Sequence, residues 1–590
     1  MQTFKKLLFL LNSFEKKRVG LLLAMIIVMA FLDMIGVASI LPFMAVLTNP
    51  TLIDTNYILN YMYNLSQSFG VENSQQFIFA LGILLFLLLI TSLTFKALTT
   101  YVQVRFVQML EYSVGKRLVK KYLNQPYSWF LSRHSADLGK TILSEVSNVV
   151  GNGVGKLMEL ISKSTITIAL IILLIIIDPK LAFIVSISFA LAYILIFYSI
   201  RKYLNWIGKE SLKNNQLRFT AVSEAFGAVK EIKVGGLEQT YIKSFSKSSK
   251  IYAQTQATSL VIAQLPRFFL EALAFGGILL IILFIMRQTG SFNNALPIIS
   301  LYVFAGYRLM PAMQIVYASF TQLVFIGPSL EKLYDDLNGP EVSNTNINSD
   351  ILTFNKKIDL KNIDYNYPNV SRTALKNINL SIPAKSTIGF IGATGSGKTT
   401  TIDIILGLLE AEKGTLEVDG KVITGQNIRS WQRMIGYVPQ HIYLSDDSVA
   451  ANIAFGVDTN EIDQKAVEKA SKIANLHEFV IDELPKKYQT EIGERGVRLS
   501  GGQRQRIGIA RALYHKPKVL VFDEATSALD NNTENLVMNE VNNLSKDITI
   551  LIIAHRLNTV KKCDKIYLLE KGMIKNEGTF EELHNIHTNS

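Results

Sequence analysis

The run Gly392-Ala-Thr-Gly-Ser-Gly397-Lys398-Thr399 has the residue types and the spacing of a loop that binds phosphate groups. It follows the apolar, strand-like run 386–391 and precedes the helix-like run 400–409, which is the context that a P-loop requires. Its glycines allow backbone N–H groups to close around phosphate oxygens, and the following helix adds its dipole. We expect Lys398 to reach the β- and γ-phosphates of a nucleotide and the Thr399 hydroxyl to reach Mg²⁺. The run therefore predicts a site for a nucleoside triphosphate.

Two adjacent carboxylates, Asp523 and Glu524, follow the four apolar residues Val519-Leu-Val-Phe522. The apolar run predicts a buried strand, which places the acid pair at the C-terminal end of that strand. One carboxylate can orient the Mg²⁺ sphere there, and the next can activate water for in-line attack on the γ-phosphate. Because a buried acid pair at a strand end has little structural use, the pattern predicts hydrolysis of the nucleotide.

The run Leu499-Ser500-Gly501-Gly502-Gln503 lies between the P-loop and the acid pair. Alone, Ser-Gly-Gly is a weak turn signal. In this order, however, the three motifs resemble those of the ABC ATPase family, whose signature is the Leu-Ser-Gly-Gly-Gln run. Tyr367, just before Pro368, resembles the aromatic residue that stacks on adenine in this family, although Tyr365 lies only two residues away.

Four further runs resemble elements of the same family and occur in the family's order. Gln440 in Tyr437-Val-Pro-Gln440 resembles the Q-loop glutamine, and Ser527-Ala-Leu-Asp530 resembles the D-loop. His555 resembles the switch histidine, and Gly493-Glu494-Arg495-Gly496 resembles the loop of exporters that touches the membrane domain. The resemblance implies three catalytic residues, which are Glu524, His555 and Gln440.

The resemblance also implies the cofactors, ATP and Mg²⁺, and the residues that hold them. The Mg²⁺ ligands would be Thr399, Gln440 and Asp523. The residues that contact ATP would be Tyr367, Gly392, Thr394, Gly395, Ser396, Gly397, Lys398, Thr399, Thr400, Ser500, Gly501, Gly502, Gln503 and Asp530. In this family the signature loop of one chain contacts the nucleotide on the other chain, so a homodimer is implied, with Ser500 and Gly502 donating to the γ-phosphate across the interface.

The composition shows which elements must carry these motifs. The chain has 590 residues, of which 49% are hydrophobic, and its mean hydropathy is +0.25. The excess of apolar residues is concentrated in the first 320 or so residues, which indicates a membrane domain followed by a soluble one. The net charge of +12 is expected of a membrane protein, and because no basic stripe with interleaved aromatics occurs, nucleic-acid binding is not expected. A single cysteine, Cys563, excludes an intramolecular disulfide and a Cys-rich metal site.

Six stretches are apolar enough to cross a bilayer, since a spanning helix needs about 20 residues. They are residues 19–47, 77–101, 154–177, 181–198, 260–286 and 295–320. The connection 48–76 contains no Lys or Arg, whereas the segments 102–153 and 199–257 are rich in both. The positive-inside rule therefore predicts a multi-pass membrane protein with both termini and the ATPase domain in the cytoplasm. The resemblance to bacterial flippases described below implies that this membrane is the bacterial inner membrane.

The segments 102–153 and 199–257 have helical patterning, which predicts cytoplasmic extensions of the spans that turn near 135–140 and 225–232. The outer connection carries an apolar stripe from Tyr57 to Leu65, which predicts either an amphipathic helix on the outer surface or ordinary packing against the spans. The N-terminal residues, with Leu7 and Leu11 on one face among lysines, predict a short interfacial helix on the cytoplasmic side.

The fold class predicted is therefore multi-domain. An all-α transmembrane domain of six helices would occupy residues 1–330, a polar, Asn-rich linker residues 331–351, and an α/β P-loop ABC ATPase domain residues 352–590. The six spans resemble the membrane domain of ABC exporters, so the resemblance covers essentially the whole chain and implies a half-transporter. Its partners would be a second copy of itself, the lipid bilayer and the transported substrate.

Ionisable residues inside the spans point to the substrate, because such residues are costly in a bilayer and face a cavity or a partner. Arg267 and Glu271 lie four apart on one helical face, Arg308 lies in the sixth span and Asp33 in the first. One interpretation is internal pairing; the other is that Arg267 and Arg308 line the path and bind an anionic group.

The runs Pro266-Arg-x-x-x-Glu271 and Tyr307-Arg-Leu-Met-Pro311 resemble bacterial flippases for lipid-linked oligosaccharides. That resemblance implies a polyprenyl-diphosphate glycan, an amphipathic anionic lipid whose pyrophosphate suits the planar donors of arginine. The alternative is export of lipid A-like lipids, peptides or hydrophobic drugs, which would need an apolar or aromatic cavity more than positive charge.

Overall fold

The computed structural model describes ten ranges of the chain, and every structural statement below concerns these residues. They are residues 2–68, 70–177, 179–289, 292–339, 352–368, 373–493, 496–525, 530–544, 547–554 and 560–588. The chain forms two compact units. The first comprises Met1–Asn124 and Arg133–Glu341, and the second comprises Gln125–Ser132 and Val342–Ser590.

The first unit is built from helices. In chain order they are α1 (Gln2–Phe9), α2 (Ser13–Ala38), α3 (Ile40–Thr48), α4 (Leu52–Thr55), α5 (Tyr57–Gln67), α6 (Ser74–Leu123), then, after α7 (Tyr127–Leu131) of the second unit, α8 (Ser135–Lys140), α9 (Val146–Val149), α10 (Lys156–Ile177), α11 (Pro179–Gly227), α12 (Val229–Gly235), α13 (Glu238–Thr289), α14 (Phe292–Phe325) and α15 (Gly327–Asn338). Two π-helical turns, Thr141–Glu145 and Val150–Gly155, connect α8, α9 and α10.

Within the described part of the chain, three helical stretches are long and apolar enough to cross a membrane. They are Ser13–Thr48, Ser74–Leu123 and Ser135–Ile177; Ser300–Phe325 with Gly327–Asn338 makes a fourth, bent by 55°, if that pair counts as one span. The fourth and fifth predicted spans lie in α11 and α13. At 1.5 Å per residue a helix of 50 residues such as α6 is about 75 Å long, more than twice the thickness of a bilayer core. The long helices therefore extend well beyond the membrane, as the sequence predicts.

The turns that interrupt these extensions are close to where the sequence places them. One break follows α11 at Ala228, and a left-handed Gly236 (φ 61°) ends α12. The other lies between Asn124 and His134, about ten residues before the predicted turn, and α8 occupies 135–140. Helix α15 runs through the first part of the segment predicted as a linker; residues 340–351 of that segment lie outside the described ranges.

The two predicted amphipathic helices differ: α1 buries Leu7 and Leu11 within the first unit, whereas most of the apolar stripe of α5 remains exposed. In α5, Leu59 is buried in a cluster with Val46 and Phe77, while Tyr57 and Tyr61 remain exposed. Helix α5 therefore packs one apolar face against its neighbours, and its opposite face exposes further apolar side chains.

At the N-terminus, Leu7 is 1% exposed and Leu11 6% exposed, and the Lys6 amine pairs with Glu331 of α15 at 2.7 Å. Phe9 makes an edge contact with Tyr334, also of α15. The prediction of an interfacial helix accounts for neither contact, because helix α15 provides an apolar surface that the sequence pattern of α1 does not reveal.

The second unit contains two sheets. Its strands are β1 (Lys357–Tyr365), β2 (Leu375–Pro383), β3 (Thr387–Ile391), β4 (Lys413–Val418), β5 (Lys421–Val422), β6 (Ile435–Val438), β7 (Val519–Asp523), β8 (Thr549–Ile553), β9 (Lys565–Glu570) and β10 (Met573–Gly578). A four-stranded antiparallel sheet has the order β2-β1-β4-β5, and a six-stranded sheet has the order β10-β9-β3-β8-β7-β6. In the larger sheet all pairs are parallel except β9 with β10.

Helices cover the sheets and complete the α/β architecture. They are α16 (Lys398–Ile405), α17 (Ile428–Gln432), α18 (Val449–Ile453), α19 (Gln464–Ile473), α20 (Gly501–Tyr514), α21 (Asn531–Leu544) and α22 (Phe580–Thr588). Strands β7 and β8 are buried along their whole length and consist mainly of Val, Ile, Leu and Phe, as expected for strands covered on both faces. The predicted fold class, a helical membrane domain and an α/β P-loop domain, is confirmed.

Candidate active site

The carboxyl ends of neighbouring parallel strands bring the sequence motifs together. The P-loop follows β3, the acid pair ends β7, and β8 lies between these two strands. In open parallel sheets, ligands bind at this edge, outside the carboxyl ends of the strands. The topology therefore places Lys398 and Asp523 at one edge of the sheet although they are far apart in sequence.

The P-loop is a tight turn that only glycine fits at its ends. Gly392 has φ 151° and Gly397 has φ 103°, both in the region that favours glycine. A Cβ at Gly397 would lie 2.7 Å from the Leu375 side chain, so this position also allows β2 to approach. The Lys398 amine donates to the carbonyls of Gly392 at 2.8 Å and Ala393 at 3.1 Å, which fixes it over the loop.

The two carboxylates lie within electrostatic range of the P-loop lysine. Burial lowers the pKa of Lys398, and Glu524 and Asp523 oppose that shift. Burial also raises the pKa of Asp523; Glu524 acts in the same direction, whereas a hydrogen bond from Tyr437 and the charge of Lys398 oppose the rise. These mutual effects place the P-loop lysine and both carboxylates in one electrostatically coupled site.

Gln440 is connected to the acid pair by a direct contact. Its Nε2 donates to Glu524 Oε2 at 2.8 Å, and the Tyr437 hydroxyl donates to Asp523 Oδ2 at 3.2 Å. Strand β6 and the segment that follows it therefore contact one carboxylate each. The sequence motif singles out Gln440 but not Tyr437. In a strand, neighbouring side chains point to opposite faces, so the buried Val438 and the half-buried Tyr437 of β6 face opposite sides of the sheet beside β7; this alternation is the signal that could have found Tyr437.

The aromatic candidates differ in their exposure. Tyr365 is 5% exposed and belongs to the core, whereas Tyr367 is partly exposed and its hydroxyl lies 3.0 Å from Thr400 Oγ1. Tyr367 is therefore the ring that a base at the P-loop could reach. Asp403 of α16 is a carboxyl that the motifs do not reveal, and burial together with the Asp523 charge raises its pKa to about 6.

The signature run begins α20. Ser500 is the N-cap: its hydroxyl accepts from the Gln503 N–H at 3.2 Å, and its own N–H donates to Gln503 Oε1 at 2.8 Å. Gly501 and Gly502 form the first turn, where free N–H groups favour an anion. Among the described residues, no hydrogen bond joins this loop to the P-loop of the same chain.

Asp530 caps α21: its carboxylate accepts from the Thr533 hydroxyl at 2.7 Å and from the backbone N–H groups of Asn532 and Thr533. These hydrogen bonds lower the pKa of Asp530. The rest of the predicted D-loop, 527–529, lies outside the described residues, as do His555 and the pair Glu494 and Arg495. The structure therefore gives no geometry for the predicted switch histidine.

The arginines predicted to line a substrate path are not brought together. Arg308 pairs with Asp33, which is 1% exposed and also accepts from Ser92 at 2.7 Å. Arg267 pairs with Glu271 at 2.6 Å while its side chain remains 52% exposed. Internal pairing, the first of the two interpretations, accounts for the contacts of both residues.

Arg267 and Glu271 line a cavity of about 100 Å³ between α11, α13 and α14. Its other lining residues are Tyr193, Met310, Pro311, Met313 and Gln314. Arg308 is not among them. The cavity is thus mixed, with one ion pair among aromatic and thioether groups.

The chain's own groups fit ATP and Mg²⁺. Lys398 is held over a glycine-lined loop, and the buried Ser396 Oγ has no hydrogen-bond partner among the described residues, as expected in a loop whose polar groups face phosphate. The exposed Thr399 hydroxyl and the Asp523 carboxylate are oxygen donors of the kind that Mg²⁺ takes together with nucleotide phosphates. No group of three or more His, Cys, Asp or Glu residues that could hold a metal by themselves occurs in the described ranges.

Fold and site together define a membrane-bound P-loop ATPase, and comparison with known proteins names the family. Residues 375–527 match the ABC transporter family, and residues 19–307 match the ABC transporter transmembrane region. A putative export ATP-binding/permease protein of Rickettsia bellii is 30% identical over 486 residues, which are 80% of this chain and 81% of that protein. The ATP-dependent lipid A-core flippase of Ralstonia nicotianae is 29% identical over 476 residues, 79% of this chain and 78% of the flippase.

A solved structure has the same fold over nearly the whole length. A bacterial Atm1-family ABC exporter with ATP bound superposes with a TM-score of 0.78 at 20% identity, covering 98% of this chain and 97% of the exporter. The chain belongs to the ABC transporter family, and it is an ATP-hydrolysing exporter with a transmembrane region and an ABC ATPase domain.

Proposed function

We propose that two copies of this chain form a homodimer that hydrolyses two ATP molecules at composite sites. The observation that carries the proposal is that Ser500 and the P-loop lie in one unit yet share no hydrogen bond among the described residues. Each P-loop is then completed by the signature loop of the second copy. Two-fold symmetry satisfies both sites at once, because the same surface is used on each subunit.

In the proposed site each residue acts through its observed position. Lys398 holds the β- and γ-phosphates, Tyr367 stacks on the adenine, and Thr399, Asp523 and Gln440 hold Mg²⁺, which offsets phosphate charge when bound. Glu524 accepts the proton of the attacking water. Gln440 orients the water indirectly, because it donates a 2.8 Å hydrogen bond to the Glu524 carboxylate that receives the proton. His555 is assigned to the γ-phosphate on the motif alone.

The proposed topology follows the distribution of charge along the chain. Residues 1–330 form the membrane domain, 331–351 the linker and 352–590 the ATPase domain, with both termini in the cytoplasm of a bacterium. The unusual length of α6, α11 and α13 supports this arrangement, because 49 to 52 residues reach far beyond the bilayer on one side.

We further propose that the substrate is an amphipathic anionic lipid, a polyprenyl-diphosphate-linked oligosaccharide or a related glycolipid. Electrostatics within the spans support it. Lys96 and Lys163 lie in predicted spans and make no ion pair among the described contacts, whereas Arg308 is paired with Asp33. Since unpaired charges are costly in a bilayer, the surplus of positive charge favours an anionic ligand.

The second candidate is export of lipid A-like lipids, peptides or hydrophobic drugs. The cavity beside Arg267 favours it, because Tyr193, Met310 and Met313 offer aromatic and thioether surface. A lipid chain could occupy the same surface, so the two candidates differ in the headgroup rather than in the apolar contact.

Stimulation of ATP hydrolysis in lipid vesicles distinguishes the candidates. Polyprenyl-diphosphate sugars, lipid A and a hydrophobic drug would be compared on the wild type, Arg267→Gln and Arg308→Gln. Arg105→Gln is the control, since Arg105 is exposed and bonds only a neighbouring tyrosine in the described contacts. We expect the diphosphate sugar to stimulate the wild type and the control, and not the two arginine variants. Stimulation by the drug alone would favour the second candidate.

A further inference from the structure

One arginine joins the segment after Gln440 to the signature helix. From α20, the Nε of Arg511 donates to the Asn452 carbonyl at 2.8 Å and its Nη1 donates to the Tyr443 carbonyl at 2.8 Å. Its guanidinium also lies 4.5 Å from the centre of the Phe455 ring. The planar fork of arginine donates to two carbonyls in a fixed geometry, which the rotatable ammonium group of lysine does not impose.

Asn452 completes the junction from the other side. It is fully buried, and its Oδ1 accepts from the Ser445 N–H at 3.0 Å and from Arg511 at 3.3 Å. Its Nδ2 donates to the carbonyls of Ser445 at 3.0 Å and Ser448 at 3.1 Å. A buried amide with all its hydrogen bonds made holds its surroundings in one arrangement. The turn 445–448 is therefore fixed to the same point as the arginine.

Packing on the same face of α20 extends the junction toward Gln440. Gly508 lies one turn before Arg511, and a Cβ there would approach the Ile442 Cγ1 within 2.9 Å. Glycine thus lets the chain two residues after Gln440 lie directly against the helix. Burial lowers the pKa of Arg511 to about 10, so its guanidinium stays charged at neutral pH.

The junction lies between two parts of the active site. Before it in the chain, Gln440 donates to Glu524; at the start of the same helix, Ser500 is the N-cap. The described contacts therefore connect the chain that directly follows Gln440 to the helix that Ser500 begins.

We propose that Arg511, with Asn452, is a positioning residue for ATP hydrolysis that acts through Gln440 by fixing the segment 441–455 on the signature helix. The proposal rests on the role proposed above for Gln440. It makes the glutamine and the signature serine parts of one rigid body. A displacement of Gln440 at one nucleotide site then also moves Ser500, which contacts the nucleotide at the other site of the proposed dimer.

Arg511→Lys tests this role, because lysine keeps the charge but lacks the planar fork that holds the two carbonyls in one geometry. The matched control is Arg506→Lys in the same helix, since Arg506 donates to the Asn475 carbonyl at 2.5 Å and lies over Phe479, away from the segment 441–455. We expect Arg511→Lys to lower kcat about ten- to a hundredfold. The KM for ATP and the thermal midpoint should match those of the control. Equal kcat in the two variants would overturn the proposal, and so would a fall of kcat that is matched by lost folding.

A double-mutant cycle separates action through Gln440 from any other effect. If Arg511 acts through Gln440, then Gln440→Ala with Arg511→Lys should be no slower than Gln440→Ala alone. Multiplication of the two single effects would show independent action and refute the proposal. If Gln440→Ala by itself leaves kcat unchanged, the proposed role of Gln440 fails instead, and this outcome is recognised from the single variant.

Discussion

At the scale of single residues, Glu524 is held in an unfavourable backbone conformation. Its φ of 52° lies in the left-handed region, which costs a non-glycine residue about 1–3 kcal/mol. The surrounding contacts maintain it: its N–H donates to the Ile553 carbonyl of β8, and Gln440 donates to its carboxylate. Such strain at the end of a buried strand is typical of a site where one side chain must point in a fixed direction.

Glu524→Gln should abolish turnover without abolishing binding. The amide keeps the size of the side chain but cannot accept a proton, and loss of a general base lowers the rate about 10²- to 10⁴-fold. ATP binding should persist, because Lys398 and the P-loop are unchanged. Steady-state hydrolysis and equilibrium ATP binding check both parts. A variant that still hydrolyses ATP at the wild-type rate would remove Glu524 from the mechanism.

Lys398→Ala should lose binding, hydrolysis and transport together. The Lys398 amine supplies the positive charge of the P-loop, and its removal leaves the phosphates without a cation at that position. Lys376→Ala is the control, since Lys376 is an exposed lysine of β2 in the same unit. Wild-type hydrolysis in Lys398→Ala would mean that this loop is not the nucleotide site.

The nucleotide motifs could be recognised from sequence because their chemistry depends on residues that are close in the chain. Lys398 lies six residues after Gly392, and Asp523 directly precedes Glu524. Tyr437 and Asp403 could not be assigned in this way, because Tyr437 hydrogen-bonds Asp523 from a neighbouring strand and Asp403 interacts with it electrostatically from α16. The pairing of Arg308 with Asp33 is likewise a contact between two distant helices, so the sequence left it as one of two interpretations.

At the scale of elements, small residues allow helices of the first unit to meet backbone to backbone. Gly208 of α11 lies against the bend between α14 and α15, where an added Cβ would overlap the Phe325 carbonyl. Gly153, in a π-helical turn, instead leaves room for the side chains of Leu7 of α1 and Ile326 at the bend. Hydropathy predicted the existence of these helices, but it contains no information about which glycines lie at their contacts.

Gly208→Ala should therefore destabilise the first unit. The methyl group would displace a backbone carbonyl that cannot rotate away, and overpacking of this kind costs about 1–3 kcal/mol. Gly115→Ala on α6 is the control, because a Cβ there meets no atom within 4 Å. At such a position the change from glycine to alanine raises the free energy of unfolding by about 0.4–1 kcal/mol. Thermal unfolding midpoints in detergent compare the two. An equal midpoint for both variants would contradict the packing seen at the bend.

At the scale of the whole molecule, one chain contains each nucleotide motif once, and no hydrogen bond among the described residues joins its signature loop to its own P-loop. In the proposed homodimer, composite sites resolve this, because the second copy supplies the signature loop for each P-loop. They also give ATP a means to close the dimer, since the nucleotide then binds the closed state better than the open one.

Mixed dimers test this arrangement without any structure of the complex. A dimer of one Lys398→Ala chain and one Ser500→Arg chain contains one intact composite site, because the undamaged P-loop meets the undamaged signature. A dimer of one wild-type chain with a chain carrying both substitutions contains none. We expect ATP hydrolysis in the first and not in the second. Sites formed within single chains require the reverse result, because only the second dimer would then hold a chain with both halves intact.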